Sequence, residues 1–295
     1  MVLINSVIPV FIVIAVGYVF GKLYPESKKF VGKLSLWIFA PVLTLTYVND
    51  HPVSANVFTV AFSVQIATMA ISGIVIALLL HKEGYDNYKW SIMGGTFSNC
   101  GYIAYPIVKI AYGDQGLAYA VVFSVAFQII MNTYGVFTAS SKKDELKKGL
   151  VGIFKIPTLY ALVLALILNY FRINLNILPK FIYGSLTFFK NASLTMLLIF
   201  IGMELSGIKL EKEDYLNIGV ATFSKIILMP LIAFIIVKIF GIQGLLGKIV
   251  VVESAMPTAM NTSIITKEFD GNIKLVSSVI FITTLIFPFF LWIWM

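Results

Sequence analysis

Apolar residues run along this 295-residue chain in ten long stretches separated by short polar joints, at about 2–22, 31–49, 55–80, 89–112, 115–138, 156–171, 184–205, 215–239, 245–267 and 273–294. A hydrocarbon core of roughly 30 Å is crossed by about 20 apolar residues in a helix. Without water, every backbone polar group must be bonded inside the protein, so only helices or closed barrels cross. The stretches do not alternate strictly, which selects helices. The pattern therefore predicts an all-α polytopic membrane protein with ten transmembrane helices. The first stretch lacks a basic leader and a clear small-residue cleavage site, so it reads as helix one and not as a signal peptide.

Two stretches depart from the pattern. Residues 94–107, GGTFSNCGYIAYPI, place glycines, Asn99 and Pro106 in the middle of the fourth. Residues 252–264, VESAMPTAMNTSI, place Glu253, Pro257 and Asn261 in the ninth. Sliding the chain on itself by about 158 residues brings the two into weak register, together with LAYAVVF at 117–123 against LVSSVIF at 275–281. Each half has five spans, and an odd number makes the second half enter from the opposite face. The expected organisation is a five-helix repeat over 1–138, a loop over 139–155 and an inverted five-helix repeat over 156–295. Matching interruptions in inverted repeats are the best sequence pointer to a secondary transporter's binding site. The half-helix ends there would offer amides to an anion or carbonyls to a cation. For a single break the plainer reading, a polar residue gluing helices together, holds; two at equivalent positions, each with an asparagine, favour a site.

Composition sharpens this picture. Hydrophobic residues make up 59% and charged residues 12%, about half the charged share of a soluble domain. Of the 22 Lys and Arg, fifteen fall in one set of alternate loops and four in the other, with Lys109, Lys190 and Lys225 inside spans. The positive-inside rule then puts both termini outside and the SSKKDELKKG loop at 140–149 in the cytoplasm. The formal charge of +8 is a property of that topology, so no nucleic-acid partner is expected. One cysteine, Cys100, and two loop histidines, His51 and His81, exclude an internal disulfide and a Cys/His metal cluster. No HExxH, GxSxG or paired intramembrane aspartate is present, so neither an enzyme nor a cofactor is expected.

At the two interruptions the sequence resembles the auxin efflux carrier family of membrane transport proteins. NCGYIAYPIVKIAYG at 99–113 is similar to the family's Asn-Thr-x-x-x-Gly-x-Pro and the aliphatic run after it, and ESAMPTAMNTSIITKEFDG at 253–271 to its Met-Pro, Asn and Lys/Arg-Glu-Tyr/Phe. The resemblance implies a five-plus-five fold in which discontinuous helices 4 and 9 cross, with helices 1, 2, 6 and 7 as scaffold and 3–5 and 8–10 as transport domain. It implies export or uptake of small organic anions, auxin in plants and dicarboxylates such as malate or malonate in some bacteria. Transferred by position, Asn99 and Asn261 would donate to a substrate carboxylate, with Cys100, Gly101, Tyr105, Thr258 and Thr262 around them. Gly101, Pro106 and Pro257 would open the helices. Ala104 replaces the usual glycine before the proline, and Thr262 stands where plant members have the crossing proline.

Depth along the helices puts Glu253 and Lys225 near mid-membrane, where a charge needs a partner or a wet cavity. The expectation is that they pair with each other, either as a fixed strut or as a proton-coupling device. Lys109 and Lys190 read as snorkelling anchors. Tyr102 and Tyr105 read equally as lining or as packing. The expected function is alternating-access transport of a small carboxylate across the cytoplasmic membrane, the rival being a sodium- or proton-coupled cation or solute carrier on the same fold, or a channel-like protein. Expected partners are the organic acid, membrane lipids, protons and a second copy of the chain.

Overall fold

The computed structural model describes residues 2–140, 150–208 and 214–295, with the backbone alone for residues 2–6, 86 and 87. Apart from Ser140, the expected 140–149 cytoplasmic loop lies outside the described residues. The described residues are overwhelmingly helical and contain no strand. The main helices are α1 (Val2–Leu23), α2 (Pro25–Asp50), α3 (Ala55–Leu79), α4 (Tyr85–Thr96), α5 (Ala104–Ala139), α6 (Pro157–Tyr170), α7 (Lys180–Leu205), α8 (Tyr215–Ile239), α9 (Gly244–Ala255), α10 (Asn261–Glu268) and α11 (Ile273–Trp294). Six of them, α2, α3, α5, α7, α8 and α11, are long and apolar enough to cross a membrane.

The predicted stretches map closely onto these helices, with two informative exceptions. The stretches at 89–112 and 245–267 are each two helices joined by non-helical backbone, Phe97–Ile103 in the first and Met256–Met260 in the second. The predicted fourth and fifth stretches also run into one another. They meet at Gly113, whose φ of 72° turns α5 sharply, a backbone conformation that glycine adopts at no steric cost.

The chain forms two compact units. Unit one comprises residues 1–59, 101–125 and 155–207. Its tightest seam joins α1 to α7. A Cβ on Gly17 would lie 2.2 Å from the Ile199 carbonyl oxygen, and one on Gly202 would lie 2.0 Å from that of Ile14. A Cβ on Gly21, one turn beyond Gly17, would lie 2.7 Å from Met203 Cα. Small residues at this spacing let membrane helices approach backbone to backbone, where dispersion contacts drive association.

Unit one also shows what the two lysines expected to be anchors touch. Lys190 pairs with Asp50 at 2.5 Å and Lys109 with Asp114 at 3.4 Å. Their ammonium groups lie 4.4 and 5.1 Å from the ring centroid of the buried Tyr47, and Lys109 also donates to its hydroxyl. The attraction between cations and an aromatic face ties α2, α5 and α7 together within this unit.

Unit two comprises residues 60–100, 126–154 and 208–295. Two capped helices frame it: Asp214 accepts from Asn217 N at the start of α8, and Asn272 accepts from Leu275 N at the start of α11. Gly94 and Gly95, which the sequence suggested as part of the interruption, lie inside α4 and serve packing. A Cβ on Gly94 would press on Val279 of α11, and one on Gly95 on the Ala221 backbone of α8.

Candidate functional site

Within unit two, the non-helical segments at Phe97–Cys100 and Met256–Met260 solve each other's hydrogen-bonding problem. Helix α4 ends at Thr96 and α9 at Ala255, which would leave free amides and carbonyls deep in the protein, a costly arrangement. Instead, Ser98 and Thr258 form an antiparallel bridge. Asn99 N donates to Pro257 O at 2.7 Å, and Ala259 N donates to Phe97 O at 2.9 Å. Pro257 has no N–H to satisfy, and Met256 before it is extended (φ −62°, ψ 152°), the conformation that a following proline favours.

Side chains complete the lattice. Thr258 is fully buried; its hydroxyl donates to Gly94 O at 2.7 Å, and its amide donates to Thr283 Oγ1 of α11 at 3.1 Å. Ser98 Oγ donates to Ser254 O at 3.4 Å, and Cys100 Sγ to Glu253 O at 3.8 Å. Ser224 Oγ of α8 donates to Gly95 O at 3.0 Å. Thr262, also fully buried, donates to Ala259 O at 2.6 Å in the first turn of α10. A hydroxyl has one proton to give, so Thr258 and Thr262 hold backbone and could offer a ligand only acceptor lone pairs.

Lys225 and Glu253 are both buried in this unit, as the depth argument anticipated, but they form no ion pair. Lys225 Nζ donates to Ser254 O, 2.7 Å away, at the C-terminal end of α9. The cation thus meets the negative end of a helix dipole. A π-helical turn over Ser224–Leu228 carries the lysine, an irregularity often found at functional positions. Both carboxyl oxygens of Glu253 are buried and have no hydrogen-bond partner. The Cys100 thiol neighbours that carboxyl and donates to the Glu253 main chain instead.

Of the residues singled out from sequence, unit two therefore contains Asn99, Cys100, Glu253, Pro257, Thr258, Asn261, Thr262 and Lys225. Asn99 is 6% exposed and Asn261, the first residue of α10, is half-buried. Among the described residues neither asparagine side chain has a hydrogen-bond partner within the protein. Gly101, Tyr105 and Pro106 belong to unit one. There the buried Tyr105 hydroxyl is bonded to Ser124 Oγ, and Tyr102 meets Phe200 edge to face, both contacts lying within that unit. Pro106 lies in the first turn of α5, where its missing N–H would have no intrahelical partner. Sequence reasoning overlooked Ser98, Ser254 and Thr283. The two serines were discoverable as small hydroxyl residues directly beside Asn99 and Glu253, but nothing in the sequence singles out Thr283.

Long apolar helices whose polar content gathers at paired interruptions define a multi-pass membrane transporter. The family model described as "Membrane transport protein" matches residues 2–295, and the chain belongs to that family, the auxin efflux carrier family. It is similar to an uncharacterized transporter of Methanocaldococcus jannaschii, 28% identical over 292 residues covering 95% of this chain and 94% of the relative. It is also similar to an uncharacterized transporter of Methanothermobacter thermautotrophicus, 24% identical over 289 residues covering 96% and 94%.

Proposed function

We propose that this transporter is a secondary carrier of small organic anions across the cytoplasmic membrane, working by alternating access, with the side-chain amides of Asn99 and Asn261 as carboxylate donors. The observation that carries the reading is a contrast. Around the bridged backbone the side chains of Ser98, Cys100, Lys225, Ser254, Thr258 and Thr262 each donate to a main-chain oxygen, while those of Asn99 and Asn261 are left with their donors unused. Neither amide is among the unit's sealed-off polar atoms, so both are open to a ligand, and a bound carboxylate would accept from them in charge-assisted hydrogen bonds. The positive ends of helix dipoles favour anions, and α10 begins at Asn261 with no side-chain cap.

Uptake of labelled mono- and dicarboxylates into proteoliposomes tests this directly. Saturable uptake competed by small carboxylates, and lost in the Asn99→Ala/Asn261→Ala variant, is the expected result. Uptake unaffected by both substitutions rejects the site.

A specific observation favours protons over sodium as the coupling ion. Glu253 is a carboxyl with both oxygens buried and unpartnered, a group able to carry a proton through the cycle, whereas sodium wants several oxygen ligands. Glu253→Gln is expected to flatten the pH dependence of uptake, and replacing sodium by choline to leave uptake unchanged. A strict sodium requirement would favour the cation-coupled alternative.

A further inference from the structure

We infer that unit two carries a binding site for the phosphate of an anionic phospholipid, at the turn between α8 and α9 and separate from the bridged backbone. A cavity of about 700 Å³ opens there, lined by Lys238, Gln243, Gly244, Lys248 and Trp294, with Leu231, Phe234 and Ile293 as its apolar wall. Positive φ angles at Gly241 and Gly244, 61° and 68°, turn the chain tightly enough to set the two lysines around one space.

Four features give the cavity its chemistry. Neither Lys238 nor Lys248 has an acidic partner among the described residues; Lys238 only leans over the Phe234 ring, 5.4 Å from its centroid. The indole nitrogen of Trp294 is buried without a hydrogen-bond partner, and an indole N–H can only donate. Helix α9 starts at this cavity with no side-chain cap on its first turn, so its amides and dipole also favour an anion. The wall is apolar and continues onto exposed surface at Leu231, Phe234 and Ile293. The main chain at Met295 forms one further edge.

A small hydrophilic anion would leave that apolar wall unused. A lipid uses both parts, its phosphodiester on the lysines and the first amides of α9 and its acyl chains along the wall. A basic cluster at a membrane surface recognises anionic headgroups, and tryptophan is at home at that level.

The test uses the purified full chain in an uncharged detergent, with thermal stability measured against added lipid. Phosphatidylglycerol is expected to protect at far lower concentration than phosphatidylcholine of the same acyl chains, and soluble glycerol 3-phosphate is expected not to protect. At about 1 kcal/mol per lysine near a charged surface, Lys238→Gln/Lys248→Gln should raise the half-protecting phosphatidylglycerol concentration about 30-fold. Lys29→Gln/Lys180→Gln, which removes the same charge elsewhere, should change it by no more than about twofold. Lys238→Arg/Lys248→Arg should keep protection and so separates loss of the site from loss of the fold. Equal protection by phosphatidylcholine, protection by glycerol 3-phosphate, or an unaltered response in the double glutamine variant would overturn the assignment. None of these readouts depends on transport.

Discussion

The two compact units each contain a close helix joint, and the two joints are made by opposite means. In unit one, α1 and α7 touch through glycine, backbone against backbone, with no polar group required at the seam. In unit two, the interrupted helices are joined by hydrogen bonds between main-chain groups that a continuous helix would have satisfied internally. A glycine seam tolerates almost no change in shape but carries no chemistry. A bridged interruption places polar groups inside a membrane protein, where function can use them. The contrast is between a joint made by shape and a joint made by hydrogen bonds.

The sharpest way to break this contrast is to thicken the seam. Gly202→Leu puts a side chain where even a Cβ would lie 2.0 Å from a carbonyl oxygen, and overpacking of that severity forces backbone shifts. We expect no monodisperse protein on size exclusion. Next in size, Asn99→Ala with Asn261→Ala should leave the fold intact and lower uptake about 100-fold or more, since each hydrogen bond to a charged group is worth about 1.5–3 kcal/mol. An effect on stability as large as the effect on uptake would show that the asparagines build the unit and do not serve a ligand.

A smaller effect is expected from Thr258→Val, which keeps the shape but strands the Gly94 carbonyl. The cost should be about 1–3 kcal/mol, seen as a lowered melting temperature. Ser98→Ala removes a single long contact of 3.4 Å and should cost under about 1 kcal/mol by the same reasoning. If Ser98→Ala proved the more damaging of the two, the weight given to the Thr258 clamp would be misplaced.

Much of this was legible beforehand, for reasons that can be named. Asn99 and Gly101 marked the first interruption and Pro257 the second, because each residue type weakens or redirects a helix, and the backbone departs from helix at Phe97–Ile103 and Met256–Met260. Helix-long apolar runs such as 215–239 translate directly into elements, here Tyr215–Ile239. What stayed hidden was partnership. Depth placed Lys225 and Glu253 at similar levels, but a buried ammonium is satisfied as well by a helix-end carbonyl as by a carboxylate, and only the rotation of α8 decides that Ser254 O receives it. The partners of Lys109 and Lys190 stayed hidden for a related reason: nothing local to either announces that Tyr47 offers them a shared aromatic ring. The seam between α1 and α7 was written in the sequence as Gly17 and Gly21, four residues apart, yet the answering Gly202 lies in another helix, and spacing within one helix cannot name its mate.

The bridge at the interruptions has a consequence for how this region can vary. Asn99 N and Ala259 N each find an acceptor on the opposite segment, so the two segments share a register. Inserting or deleting one residue in either segment would turn its side chains to the opposite face and misalign both donors at once, whereas most single replacements leave the main-chain pairing untouched. These unwound stretches are therefore freer in letters than in length.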